Sequence, residues 1–151
     1  MEKLKDMKYS LDLHMKRLWL TGWIWTTTFL NGGSEIIEIP YFSNIDNKQH
    51  RYVTDFMFTC KTRNNTIEKW LIEVKPGTQV PKLDECGQII FPKLEPTKKG
   101  KLNQNRIDRW QEYCNVLKKN KEKWDYARDW CRKNNFKFKV VTEEELALNY
   151  K

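Results

Sequence analysis

Histidine and cysteine are scarce in this chain: two His and four Cys (Cys60, Cys86, Cys114, Cys131) in 151 residues, with no CxxC pair. Such a supply and spacing excludes a zinc finger or ribbon and calls for no disulfide framework, which fits a reducing compartment. Long hydrophobic runs are also missing. The longest, residues 18–30 (LWLTGWIWTTTFL), is hydroxyl-rich and shorter than the about 20 residues a membrane helix needs. It follows Lys16 and Arg17 as a signal-peptide core would, yet no small-x-small cleavage site follows, so a soluble protein with no membrane partner is expected. There is no repeat and no low-complexity tract. Disorder is excluded by a 39% apolar and 13% aromatic content with seven Trp, despite 32% charged residues. The length suits one domain, 1–151, burying roughly 68–70% of its unfolded surface.

What is present is charge of one sign, unevenly placed. The net charge is +8, and residues 93–139 alone carry +9 (15 basic, 6 acidic), leaving −1 for the remainder. A neutral part joined to a basic part points to a polyanionic partner, with nucleic acid the leading candidate.

Periodicity organises the rest. Leu11, Met15 and Leu18 fall on one helical face within residues 2–20. Residues 21–30 favour extended structure, which Asn31-Gly32-Gly33 is expected to break. Strands are expected at 36–42, 51–60 (RYVTDFMFTC) and 68–75 (EKWLIEVK), with a turn at residues 63–66, making a β-meander that ends at Pro76-Gly77. Residues 77–100, punctuated by Gly77, Pro81, Gly87, Pro92 and Pro96, read as a long loop with a short strand at 88–91, and loops of that length are usually functional. A helix at 103–119 carries Ile107, Trp110, Cys114 and Leu117 on one face. Asn120 is placed as the N-cap of a second helix with Trp124, Ala127 and Cys131 as its buried stripe, stopped by Asn134-Asn135. Phe136, Phe138 and Val140 alternate with Lys137 and Lys139 as a half-buried strand whose basic side is exposed. Thr142-Glu143-Glu144-Glu145 has the form of a capping box before a last short helix. The sum is a mixed α/β domain with a central sheet.

The chemistry-bearing cluster lies on the second and third strands. Glu73 and Lys75, two apart, project from one face while Ile72 and Val74 take the other. If the strands pair about residue 64, Asp55 falls opposite Glu73. Two carboxylates on one face raise each other's pKa, a cost that a divalent cation removes. Mg²⁺ takes hard oxygen ligands, so Asp55 and Glu73 are the candidate metal ligands, with Mn²⁺ as a substitute. Lys75 is then placed to orient water or stabilise charge on a phosphate. The plainer alternative is a solvated strand face with a weak surface ion pair.

The segments GSE at 33–35, IPYF at 39–42, RYVTDF at 51–56, WLIEVKP at 70–76, KW at 123–124 and FKFKVVTEEEL at 136–146 resemble the head-completion nucleases of large contractile-tailed phages. The resemblance covers roughly 32–150 in matching order. It implies a restriction-endonuclease-like α/β fold, a central mixed sheet flanked by helices with a PD-(D/E)xK site, similar also to transposon end-cutting nucleases. By motif position Asp55, Glu73 and Lys75 take the catalytic places. Thr54 stands where the motif has Pro. The divergent N-terminal part, 1–31, offers Asp12 in Tyr9-Ser10-Leu11-Asp12 at the place of a metal-associated Glu. The implied activity is metal-dependent hydrolysis of double-stranded DNA while the packaged phage head is completed, in the host cytoplasm and in association with the virion. Head, portal or neck proteins are the implied partners. The alternatives are a weak or inactive head or neck assembly protein that binds DNA and a transposon nuclease, the latter disfavoured by the absence of an accessory domain.

Other residues are weighed against simpler roles. His14 is a candidate proton shuttle or a surface histidine, and His50 sits in a polar turn. Glu35 either orients the site or caps a turn. Lys98, Lys99, Lys101, Arg106 and Arg109 form a candidate phosphate-contacting ridge, or a solvated helix face. No base-reading motif is present, so low sequence specificity is expected. Trp110 and Trp124 are expected in the core and Trp130 off the main stripe.

Overall fold

The computed structural model describes residues 28–34, 37–96, 100, 103–142 and 144–145. The expected helix at 2–20 and the residues Asp12, His14, Glu35, Lys98, Lys99 and Lys101 lie outside the described residues. In chain order the elements are β1 (Thr28–Ser34), β2 (Glu38–Ser43), β3 (Lys48–Val53), β4 (Phe56–Lys61), β5 (Ile67–Val74), a 3₁₀ turn at Gly77–Gln79, α1 (Gln104–Lys133) and β6 (Lys137–Val141). A four-stranded sheet has the order β1-β4-β5-β6; its first three strands are antiparallel and β6 runs parallel to β5. The hairpin β2–β3 forms a separate two-stranded sheet.

The expected strand 51–60 is therefore two strands in two sheets. The chain leaves the hairpin at Thr54, whose N–H donates to the Ile37 carbonyl (3.3 Å), and enters the main sheet at Phe56. Where the ladder is interrupted, a side chain replaces a rung: Asp55 Oδ2 accepts the Val74 N–H at 2.8 Å. Alternation alone cannot show such a break, because Tyr52, Phe58 and Cys60 are buried either side of it. The expected meander is corrected accordingly.

Asn31-Gly32-Gly33 does not end the first strand. It lies inside β1, an edge strand whose register slips between Phe29 and Asn31, and edges with bulges are where glycine in a strand is tolerated. The turn at 63–66 forms as expected, with Asn65 at φ 60°. The expected strand at 88–91 reduces to one bridge, Leu83↔Ile89.

The two expected helices are one helix of 30 residues, about 45 Å long at 1.5 Å per residue. Residues 104–133 contain no Gly or Pro, and the stripe Cys114, Leu117, Asn120, Trp124, Ala127, Cys131 is buried without interruption. Asn120 is thus no cap; its amide donates to the Gln79 carbonyl at 2.9 Å. The real N-cap is Asn103, which accepts the Arg106 N–H at 3.0 Å. The helix stops at Asn134-Asn135 as expected, with Asn135 at φ 58° and the Phe136 N–H returning to the Cys131 carbonyl. Tyr113 Oη donates to Thr78 O and Trp110 Nε1 to Pro92 O, so the long loop is strapped along α1.

One core cluster joins the hairpin, the sheet and the helix through Ile39, Tyr41, Tyr52, Leu71, Trp124, Ala127 and Cys131. A second, on the other side of the main sheet, contains Phe58, Cys60, Ile72 and Val141. In β5, Leu71, Ile72 and Glu73 are consecutive and all buried, the signature of an interior strand covered on both faces. Truncating Leu71, which has no exposed surface, to Ala is expected to cost about 2–5 kcal/mol. The basic side of β6 is not simply exposed: Lys137 pairs with Glu68 and Lys139 with Glu145, and Val141 on that side is core. Thr142 and Glu145 exchange the two bonds of the expected capping box. The hairpin is clamped to α1 by Glu122, which accepts from Ser43 Oγ and from the Asn44 backbone and side-chain amides. This clamp fixes β3, and with it Tyr52, against the end of β5.

Candidate active site

Glu73, the penultimate residue of β5, is in the wrong environment for a carboxylate: it is only 2% exposed. Lys75 lies just beyond β5 and continues the ladder through its N–H to the Val141 carbonyl at 3.0 Å. Strand alternation therefore returns its side chain to the face of Glu73, and Lys75 Nζ sits 2.9 Å from Glu73 Oε1. Ile72 goes to the opposite core cluster. The observed register, Phe56↔Ile72, extends to place residue 55 opposite residue 73, the pairing about residue 64 that the sequence arithmetic requires. Asp55, Glu73 and Lys75 are thus gathered where β3 breaks into β4 and β5 ends. His50 is elsewhere, in contact with Asp46 at 2.8 Å and stacked on Tyr41. Arg106 and Arg109 are exposed in the first two turns of α1.

Two site residues escape a local reading. Tyr52 is buried, and its hydroxyl donates to Glu73 Oε2 at 2.7 Å. Lys123 reaches in from α1, half-buried, with its Nζ 5.7 Å from the centre of the Tyr52 ring. The signal for Lys123 is its position next to Trp124, at the border of the buried stripe of α1. For Tyr52 it was the shared parity with Thr54 on a strand whose inward face is core.

The electrostatics follow from burial. The Glu73 carboxyl is pushed above its ordinary value by burial and then by Asp55, against the hydrogen bonds from Lys75 and Tyr52. The Tyr52 hydroxyl is pushed far up by burial and by the Glu73 charge. Burial lowers the Lys123 ammonium. Glu73 opposes that shift, Lys75 and Lys119 add to it, and Asp55 opposes it more weakly. Thr54, at the motif's Pro position, is 1% exposed, and its hydroxyl finds no hydrogen-bond partner among the described residues. Among the described residues no group of three or more His, Cys, Asp or Glu comes together.

A mixed sheet with a helix packed over it, bearing an acid at a strand break and E-x-K at the end of the next strand, is a restriction-endonuclease-like core. Residues 27–143 match the family described as "TnsA-like endonuclease N terminal", and the chain belongs to that family. It is also similar to the head completion nuclease of Enterobacteria phage T4, at 31% identity over 122 residues, covering 79% of this chain and 69% of that one. No solved structure matches it significantly.

Proposed function

We propose that this chain is a metal-dependent endonuclease that hydrolyses phosphodiester bonds of double-stranded DNA and acts in completing the packaged head of a phage. The convergence of Asp55, Glu73 and Lys75 at the open end of the β4–β5 pair is the observation that carries this reading. The donor set suits a hard cation: Asp55 Oδ1 accepts no hydrogen bond among the described residues, and Glu73 lies beside it in a site that disfavours a second unneutralised carboxylate. Asp55 and Glu73 would hold Mg²⁺ or Mn²⁺, which when bound supplies an acidified water and neutralises phosphate charge. Tyr52 orients the Glu73 carboxylate. Lys75 holds Glu73 Oε1 in the protein alone and, beside a bound metal, would orient a water or stabilise charge on a phosphate. Asp12 is retained as the N-terminal acid of the site. Lys98, Lys99, Lys101, Arg106 and Arg109 are retained as outlying phosphate contacts. Head, portal or neck proteins are the partners this role requires, in the host cytoplasm during assembly and on the virion, with 1–151 acting as one domain.

A second reading has its own observation. Both Glu73 oxygens are already engaged, by Lys75 and by Tyr52, which suits an assembly protein that keeps the fold, binds DNA and cleaves weakly or not at all. Incubating the purified chain with plasmid DNA and Mg²⁺ or Mn²⁺ separates the two. Cleavage that disappears with EDTA and in Glu73→Ala is the expected result. Salt-sensitive binding with no cleavage in either metal overturns the enzyme reading and leaves the assembly role.

A further inference from the structure

The cations of the second half of α1 fall into two groups. Lys121 and Arg128 share Asp125, and Arg132 and Lys133 share Asp129, so the helix neutralises them itself. Its remaining acid there, Glu122, is spent on the Ser43-Asn44 turn. Lys119 and Lys123, one helical turn apart, have no carboxylate within ion-pair distance among the described residues. Four residues apart, they share one face of α1, and Lys123 feels the charges of Glu73, Lys75, Lys119 and Asp55. Lys123 is half-buried beside the Tyr52 ring, where an uncompensated charge is costly, and Lys119 is exposed one turn away. An anion entering between the two ammonium groups relieves that cost.

We infer that Lys123 and Lys119 form a phosphate-binding pair on α1 that holds the DNA backbone over the Asp55–Glu73–Lys75 site. Lys75, tied to Glu73, serves the acidic pair, whereas Lys123 and Lys119 have donors free for backbone phosphates. Lys123 holds its Nζ over the face of the Tyr52 ring, 5.7 Å from its centre, which fixes where its ammonium ends and therefore which phosphate it meets. This inference rests on the nuclease reading for the identity of the bound strand, but its test does not depend on cleavage.

The test measures binding of the full chain to a short DNA duplex in EDTA across a salt series, for wild type, Lys123→Met, Lys119→Met and Lys123→Arg. Met keeps an unbranched side chain of similar length and removes the charge. Each lysine that contacts a phosphate contributes about 0.9 to the slope of log affinity against log salt. Lys123→Met and Lys119→Met are each expected to flatten the slope by about that amount and to weaken binding about tenfold at low salt, with Lys123→Arg restoring the wild-type slope. A control, Lys133→Met, removes a cation already paired with Asp129 and is expected to leave the slope alone. A wild-type slope in Lys123→Met overturns the inference, even if the protein cleaves DNA. A flattened slope in a protein that fails to cleave with metal supports the inference while the nuclease reading falls.

Discussion

The two ends of the β4–β5 pair share strands and register but differ in what builds them. At the turn end, everything is local and wet. Asn65 takes the left-handed conformation, the Thr62 N–H bonds the Thr66 carbonyl at 2.8 Å, and Ile67 is 64% exposed. At the open end, the same ladder closes on an Asp55 side chain in place of a rung. A 2%-exposed Glu73 there is held by a tyrosine from another sheet, with a helix lysine close by. The first end is made by turn chemistry and is cheap to change. The second combines buried charge, an interrupted strand and a Thr54 hydroxyl with no partner among the described residues, features that cost stability and collect where a protein does chemistry.

Substitutions that should break this contrast run from large effects to small. Glu73→Gln is expected to reduce metal-dependent DNA cleavage by about a thousandfold or more. In EDTA the same substitution should raise the midpoint of thermal unfolding, because the folded environment disfavours the charged carboxyl. A fall in both would mark Glu73 as structural only. Tyr52→Phe leaves Glu73 Oε2 without its donor, and should destabilise by about 1–3 kcal/mol and slow cleavage, both measured against wild type. At the turn end, Asn65→Val forces a β-branched residue to φ 60° and should cost about 1–2 kcal/mol in denaturant unfolding, with cleavage per folded molecule unchanged. Smallest, Thr54→Val removes a buried hydroxyl that has no partner among the described residues, and should stabilise by about 1 kcal/mol while keeping the Thr54 N–H bond to Ile37. Equal sensitivity of cleavage to Asn65→Val and Tyr52→Phe would erase the distinction between the two ends.

Legibility tracked the same divide. The turn at 63–66, the common face of Glu73 and Lys75 and the opposition of residues 55 and 73 were readable, because period-two alternation and a hairpin centre are local rules. The stripe on α1 was readable as spacing but misread as two helices, since Asn120 fits a cap by type. Only the Gln79 carbonyl waiting beside it shows that its amide is satisfied inside a continuous helix. The split of 51–60 was hidden because both halves keep an inward apolar face, each toward a different layer.

The sequence by itself determined the acidic pair, the lysine two residues on, the concentration of positive charge and the class of fold these imply, all properties of composition and short-range period. Tertiary structure alone decided that Tyr52 would hold Glu73 and that α1 would bring Lys123 over the Tyr52 ring. Those contacts depend on how a clamped hairpin and a 45 Å-long helix, about that by its rise per residue, settle on a twisted sheet. That geometry is set by the packing of many buried side chains at once, and no local pattern encodes it.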